Sequence, residues 1–350
     1  MAIIRPKRKI DHVRHALQQV DSGQAGFSDI TLIPETMPDL KLERVDCSCS
    51  FMEKKLSAPL LINAMTGGHP EVKEINAGLA EAASVTGIAM AVGSQRAALE
   101  DAGVSDTYEV VREKNSGGVI LANLNAGCSY EDAMQAVDML RADGIQLYLN
   151  AAQELSMAEG DVDFRGVINN IANLVDKLPV PVIVKEVGFG MSGETVRSLT
   201  AAGVKYIDIG GRGGTDFAAI ERGRQGKSEG PLLNWGIPTA ASLLEAIVAA
   251  GDAEIIASGG VRSPGDVAKA LVAGAGMVGL AKPFLLVLTK NGVPGLVDYI
   301  EGMKLDLRTI MMALGVESVN LMKTKPMVIT GFTAEWLQRR GVDVNLFARR

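Results

Sequence analysis

The chain is poor in the residues on which many enzymes depend. It has three histidines, His12, His15 and His69, all before residue 70, and three cysteines, Cys47, Cys49 and Cys128. Three thiols cannot build a disulfide framework, and with three histidines they show no zinc-binding spacing. The Cys47-x-Cys49 pair reads as two reduced thiols on one face of a strand. Aromatic residues make up 4% of the chain, and acidic side chains outnumber basic ones, 41 to 35. A net charge of -6 argues against a dedicated nucleic-acid binder, which carries a basic face. The one basic cluster is Arg5, Lys7, Arg8 and Lys9 at the start. No apolar run approaches the roughly 18 residues that mark a membrane span. The opening MAIIRPKRKIDH lacks the apolar core of a secretory signal. These absences lead us to expect a cytoplasmic protein with neither a nucleic-acid nor a membrane partner.

What is abundant is glycine, 39 residues, set between short apolar runs. Such runs start near residues 60, 88, 119, 145, 182, 206, 254 and 277, about 31 residues apart on average, the length of a βα unit. Continuous rather than alternating apolar character marks strands buried on both faces of a parallel sheet. Eight such units predict an α/β protein, a (β/α)8 TIM barrel, in preference to an open doubly wound sheet. We expect one domain over residues 1–350. It comprises an N-terminal extension over 1–58, barrel strands over about 60–280, and C-terminal helices from about 283, with Leu305–Leu314 as an amphipathic helix. The two long intervals, 145–182 and 206–254, predict extra loop material over 151–164 and 210–238, and long structured loops are usually functional.

Chemistry in such barrels lies at the C-terminal strand ends. Polar residues or glycines follow every apolar run: Asn63 to Gly68, Gly93-Ser94-Gln95-Arg96, Asn123, Asn150 with Gln153-Glu154, Lys185-Glu186, Gly210 to Thr215, Ser258 to Arg262, and Gly279 to Lys282. The last two segments match the barrel phosphate site, where small residues let backbone amides and a helix N-terminus approach an anion. Lys185, closing an apolar strand, is either an ion-paired lysine, with Glu186 or Asp208, or a fixed positive charge for an anionic ring or enolate. Glu154 is either solvated or a ligand for Mg²⁺, a hard ion that prefers carboxylate and phosphate oxygens. His12, His15 and His69 read as surface or loop residues. Gly188-x-Gly190-x-x-Gly193 has the dinucleotide spacing, but Asp208 falls inside the next strand rather than at its end, so the segment is read as a turn.

Five of these motifs together resemble one family. They are Met65-Thr66-Gly67-Gly68, Gly93-Ser94-Gln95-Arg96, Asn150-x-x-Gln153-Glu154, Lys185-Glu186-Val187-Gly188-Phe189-Gly190 and Gly211-Arg212-Gly213-Gly214-Thr215. The chain is similar through them to the type 2 isopentenyl-diphosphate isomerases, FMN enzymes with a (β/α)8 fold. Arg8-Lys9-x-x-His12 and Trp235-Gly236 extend the likeness from about residue 8 to 330. The resemblance implies that Ala64, Met65, Thr66, Ser94, Asn123, Lys185, Gly210 and Thr215 hold the flavin. It places Gly259, Gly260, Val261, Arg262, Ala281 and Lys282 at the flavin phosphate. Arg8, Lys9, His12, Ser94, Gln95, Arg96, Asn150 and Gln153 would hold isopentenyl diphosphate, and Glu154 the Mg²⁺, with Gln153 and Lys185 as the catalytic pair. The family usually has His at the position of Tyr148, Ser at Gly210 and Arg at Lys282. The implied reaction is a 1,3-proton shift to dimethylallyl diphosphate in isoprenoid biosynthesis. It uses FMN kept reduced by NADPH, in a homo-oligomer, tetramer or larger.

Three rival readings compete. A 2-hydroxy-acid oxidase needs a histidine base at the barrel mouth, and no histidine follows residue 69. An IMP-dehydrogenase-like enzyme needs a nucleophilic cysteine in an active loop, and Cys128, the sole candidate, follows Asn125-Ala126-Gly127, which lacks that context. A non-catalytic FMN- or phosphosugar-binding barrel would have no use for Gln153-Glu154 and a basic N-terminus.

Overall fold

The computed structural model describes Arg14, His15, Leu17 and residues 25–350 apart from Ser228. Three short strands precede the barrel: β1 (Ile30–Leu32), β2 (Cys49–Phe51) and β3 (Lys54–Leu56). The barrel strands follow as β4 (Leu60–Ile62), β5 (Ala89–Ala91), β6 (Ile120–Asn125), β7 (Gly144–Leu149), β8 (Val182–Glu186), β9 (Tyr206–Asp208), β10 (Glu254–Ser258) and β11 (Met277–Leu280). All neighbouring pairs are parallel, and the pairing of β11 with β4, with Leu280 opposite Ile62, closes the sheet into a barrel. The eight-stranded barrel expected from the spacing is therefore present, each strand starting within a residue or so of its predicted place.

Local chemistry starts the surrounding helices. Ser129 caps Tyr130–Leu140 by accepting from the Asp132 amide, and Ser192 caps Gly193–Ala201 by accepting from Thr195. Ser263 and Asp266 form a reciprocal capping box, with Pro264 at the first position of Pro264–Ala273. The long helix Lys282–Ala313 breaks at Gly292, where φ is 68°. The two intervals predicted as loop material contain helices, Ala151–Ser156 just after β7 and Phe217–Arg224 after the glycine loop that follows β9. Beyond the barrel, β12 (Met327–Ile329) pairs antiparallel with β1, so the two extensions meet.

The antiparallel β2–β3 hairpin closes the N-terminal end of the barrel. Phe51 and Leu56 pack there with Leu61, Leu121, Ile183, Ile256 and Met277. Successive side chains of a strand alternate between faces, so the next inward residue lies two positions on. Those residues are Asn63 after Leu61, Asn123 after Leu121, Lys185 after Ile183 and Ser258 after Ile256. The interior thus changes from an apolar lower layer to a polar upper layer within one step along each strand. All three cysteines are free; Cys49 opens β2, but Cys47 precedes the strand and belongs to a different apolar cluster, so the two do not share a strand face.

Candidate active site

The upper layer opens at the C-terminal strand ends into a cavity of about 1070 Å³. Of the residues singled out in the sequence, Ala64, Met65, Ser94, Arg96, Asn123, Asn150, Gln153, Glu154, Lys185, Gly210, Thr215, Gly259, Gly260, Val261, Arg262, Ala281 and Lys282 line it. Thr66 is buried behind Met65, and its hydroxyl has no hydrogen-bond partner. Gln95 is displaced from the expected role. Its side chain is fully buried, donates to Ala136 O at 2.9 Å and accepts from the Asn123 amide at 3.0 Å, so it supports a wall residue rather than facing a substrate. Arg8, Lys9 and His12 lie outside the described residues.

Two glycine loops build one wall. A Cβ at Gly259 would lie 2.0 Å from Gly211 O, and one at Gly260 would lie 2.4 Å from Gly213 O. A Cβ at Gly214 would lie 2.8 Å from the Gly260 amide nitrogen. The loops approach this closely only because neither carries side chains there. Arg262 ties them together, donating to Gly260 O at 2.6 Å and Gly213 O at 2.7 Å. Just beyond, the N-terminus of Pro264–Ala273 is filled by its own capping box, the Asp266 carboxylate accepting from the Arg262 and Ser263 amides. Gly279, predicted to belong to this cradle, instead lies within β11, where a Cβ would come within 2.7 Å of Asn63 Nδ2. Its role is to make room for that amide.

The floor is a hydrogen-bonded polar layer. Lys185 Nζ donates to Glu186 O at 2.6 Å and sits 3.6 Å from Asp208 Oδ2. Of its two proposed partners, then, Asp208 is the ionic one. The fully buried Asp208 also accepts from Asn63 Nδ2 at 2.7 Å, Ser258 Oγ at 2.5 Å and the Gly210 amide at 3.2 Å. Gln146 Nε2 donates to Asn63 Oδ1 at 3.0 Å, and Asn123 Nδ2 donates to Gln146 Oε1 at 3.0 Å. Glu186 turns away from the cavity to accept the amides of Gly188, Phe189 and Gly190. Burial pushes its carboxyl up to about 7, against the pull of those amides and Lys185. The same contacts settle the Gly188-x-Gly190-x-x-Gly193 segment: the amides that would cradle a pyrophosphate are occupied by Glu186.

Around the rim, Gln153 Nε2 donates to Glu221 Oε1 at 3.1 Å, and Glu221, itself buried, is ion-paired with Arg224. Because a carboxylate only accepts, this contact fixes which end of the Gln153 amide carries the NH₂. Glu154 accepts from Asn150 Nδ2 at 2.7 Å and from the Asp161 amide at 3.0 Å. Arg96 is held between Glu100 at 3.0 Å and Asp132 at 2.6 Å. Tyr148 donates its hydroxyl to Ser94 Oγ at 3.3 Å, while buried Tyr108 donates to Ser94 O at 2.5 Å. At Gly210, φ is 45° and a Cβ would meet Glu186 O at 2.2 Å, so this backbone is built for glycine. Among the described residues, no three His, Cys, Asp or Glu side chains are grouped to hold a metal by themselves.

The groups that rival chemistries require are otherwise engaged. His69 accepts from the Glu71 amide at the start of Pro70–Val72, and neither it nor His15 lines the cavity. Cys128 lines the cavity, but burial pushes its thiol up to about 11, which keeps it an unreactive thiol at neutral pH. Sequence reasoning missed Gln146, Tyr108 and Glu221. Gln146 had a signal, a polar residue at an inward position of an apolar strand; the other two come from helices whose contacts only the fold reveals.

The family model for FMN-dependent dehydrogenases matches residues 121–329. Solved mandelate oxidases share the fold. One determined with 2-hydroxy-phenylacetamide superposes with a TM-score of 0.65 at 18% identity, over 93% of this chain and 95% of that one. Curated relatives are much nearer in sequence. The isopentenyl-diphosphate delta-isomerase of Geobacillus sp. (strain WCH70) is 48% identical over 347 residues, covering 99% of both chains. That of Moorella thermoacetica is 47% identical over 336 residues, covering 96% of this chain and 97% of the relative. With identity at this level along its whole length, and with the barrel, glycine cradle and strand-end lysine in place, the chain belongs to the isopentenyl-diphosphate delta-isomerase family.

Proposed function

We propose that this protein interconverts isopentenyl and dimethylallyl diphosphate, with FMN and Mg²⁺ bound in the barrel mouth. The observation that carries this reading is one cavity holding both the glycine cradle and the Lys185 ammonium. A phosphate fits the cradle because only glycines allow the two loops to pack so closely. The Thr66 hydroxyl, buried without a partner beside cavity-lining Met65, is a further sign of a polar ligand not yet counted. When bound, reduced FMN supplies the group that delivers and retrieves the proton moved in the 1,3-shift.

The chain's own residues account for the rest. Gly259, Gly260 and Val261 hold the flavin phosphate, with Lys282 at the start of its helix adding charge. Lys185, held by Asp208, places a positive charge where the anionic reduced ring needs stabilising. Asn123, whose NH₂ is spent on Gln146, offers its carbonyl oxygen to the ring. Arg96, Asn150 and Gln153 anchor the diphosphate, so remote binding energy positions the alkene. Glu154 supplies the carboxylate for Mg²⁺. A Mg²⁺ site built from one or two carboxylates and completed by substrate phosphate suits a rim where Glu154, Glu159 and Asp161 all line the cavity. Tyr148 and Ser94 present neutral hydroxyls to the same region. An alkene protonates reluctantly, and its tertiary cation needs a site from which water is excluded.

The homo-oligomer and the use of NADPH as reductant rest on the family resemblance. Among the described residues no helix is long and apolar enough to cross a membrane. The proton shift leaves the substrate's oxidation state unchanged. With NADPH or dithionite and no oxygen, far less than one equivalent of reductant should be consumed per product. A ratio of product to oxidised NADPH near one would overturn the isomerase reading.

A further inference from the structure

The polar layer has a direction. Asn123 donates to Gln146, Gln146 donates to Asn63, and Asn63 donates to Asp208. Each amide has distinct ends, an accepting oxygen and a donating NH₂, so the carboxylate at the terminus dictates the orientation of all three. Asp208 can only accept, so Asn63 must turn its NH₂ inward. The Asn63 oxygen then accepts from Gln146 and from the Ala64 amide, at 3.0 and 2.9 Å. Gln146 in turn presents its oxygen to Asn123. Asn63, Gln146, Asn123 and Asp208 are all buried, and they come from β7, β6 and β9 and from the residue just past β4, so none can reorient alone. Asn63 and Asn123 face the cavity; Gln146 and Asp208 do not.

We infer that Gln146 and Asp208 are positioning residues: through this relay they fix the amide ends that Asn63 and Asn123 present to the flavin, without touching it. The inference rests on the FMN reading above. A carboxylic acid mimics glutamine's donor and acceptor only while protonated, and burial favours the protonated form. The charged groups of this layer are Lys185 on β8 and Asp208 on β9, and neither is altered in the variants tested below.

The test is FMN titration of apoprotein, by flavin fluorescence, for wild type, Gln146→Leu and Gln146→Glu at pH 5.5 and 8.5, with thermal midpoints measured alongside. Gln146→Leu, which removes both of the glutamine's hydrogen bonds, should bind FMN about tenfold more weakly than wild type at both pH values. Gln146→Glu should match wild type at pH 5.5 and fall behind it by at least as much at pH 8.5, when the carboxylate faces the Asn63 oxygen. Acid rescue of FMN affinity, with a thermal midpoint equal to that of wild type at both pH values, is something a merely structural glutamine would not produce. Wild-type affinity in both variants at both pH values overturns the relay and leaves the FMN reading standing. Equal losses at both pH values in Gln146→Glu, tracking a lowered thermal midpoint, overturn it as well. A wild-type protein that binds no FMN overturns the proposed function, and the relay's role with it.

Discussion

The two layers of the barrel interior are made by the same strands and differ in almost everything else. The lower layer, around Phe51, Leu61, Leu121, Ile183 and Ile256, is apolar and sealed by the β2–β3 hairpin. One step up each strand, Asn63, Asn123, Lys185 and Ser258 surround Asp208 beneath an open cavity. Burial stabilises the first layer directly, at about 25 cal/mol per Å² of apolar surface removed from water. In the second, burial is costly unless each polar group is paired, so its contacts mainly cancel desolvation while fixing geometry. A barrel can therefore separate stability from chemistry along its axis.

If that division is right, substitutions in the two layers should have opposite signatures. Lys185→Ala, in the upper layer, should lower turnover about 10²- to 10³-fold while FMN stays bound, the scale expected for removing a preorganised electrostatic contact. An anaerobic steady-state assay of the FMN-loaded variant checks this, and undiminished turnover would break the assignment. Leu61→Ala, in the lower layer, should instead lower unfolding free energy by about 2–5 kcal/mol, read by denaturant titration, with KM unchanged below the melting range.

Smaller effects belong to the rim. Arg96→Ala should weaken substrate binding by about 1.5–3 kcal/mol, appearing as a raised KM. Its ion pairs with Glu100 and Asp132 offset part of this loss, because the substrate must compete with them. Glu154→Gln should raise the Mg²⁺ concentration needed for half-maximal rate while leaving flavin affinity intact; an unchanged Mg²⁺ titration removes Glu154 from the metal site.

The smallest expected effect comes from an exception to the comparison. Glu254 begins β10 in the lower region, and its Oε1 is buried without a partner. Burial raises its carboxyl to about 7, from about 4.3 in an unfolded chain. Between those values the folded state binds more protons, so this stabilising contribution is complete below about pH 4.3 and is lost as pH rises through 7. Glu254→Gln should flatten that part of the pH–stability curve and stabilise the protein at pH 8 by about 1–2 kcal/mol, allowing for solvent screening at a partly exposed group. Thermal melts of both proteins from pH 4 to 8 would show it.

Much of this was legible before any coordinates. Apolar runs at βα spacing located all eight barrel strands, because strands covered on both faces must be continuously apolar. Polar and glycine residues at their ends marked the cavity, since parallel strands deliver all their C-termini to one face. Gln95 differs from its neighbours Ser94 and Arg96, which line the cavity, because it sits at the turn into helix Arg96–Glu100, past the end of β5, where the strand's alternation no longer sets which way a side chain points. Gly279 departs from the expectation because a glycine reads alike in sequence whether it approaches a phosphate or yields space to Asn63.

The architecture, the position of the mouth and the family all depend on patterns along the chain and can be read from it. Who holds whom emerges in the folded barrel: Asp208 rather than Glu186 is the ion partner of Lys185, Glu186 fills the glycine turn, and Gln146 links Asn123 to Asn63. Except for the turn filled by Glu186, those choices are made between residues tens of positions apart, and by which end of an amide donates. Nothing local in the chain encodes them until closure of the barrel brings the strands together.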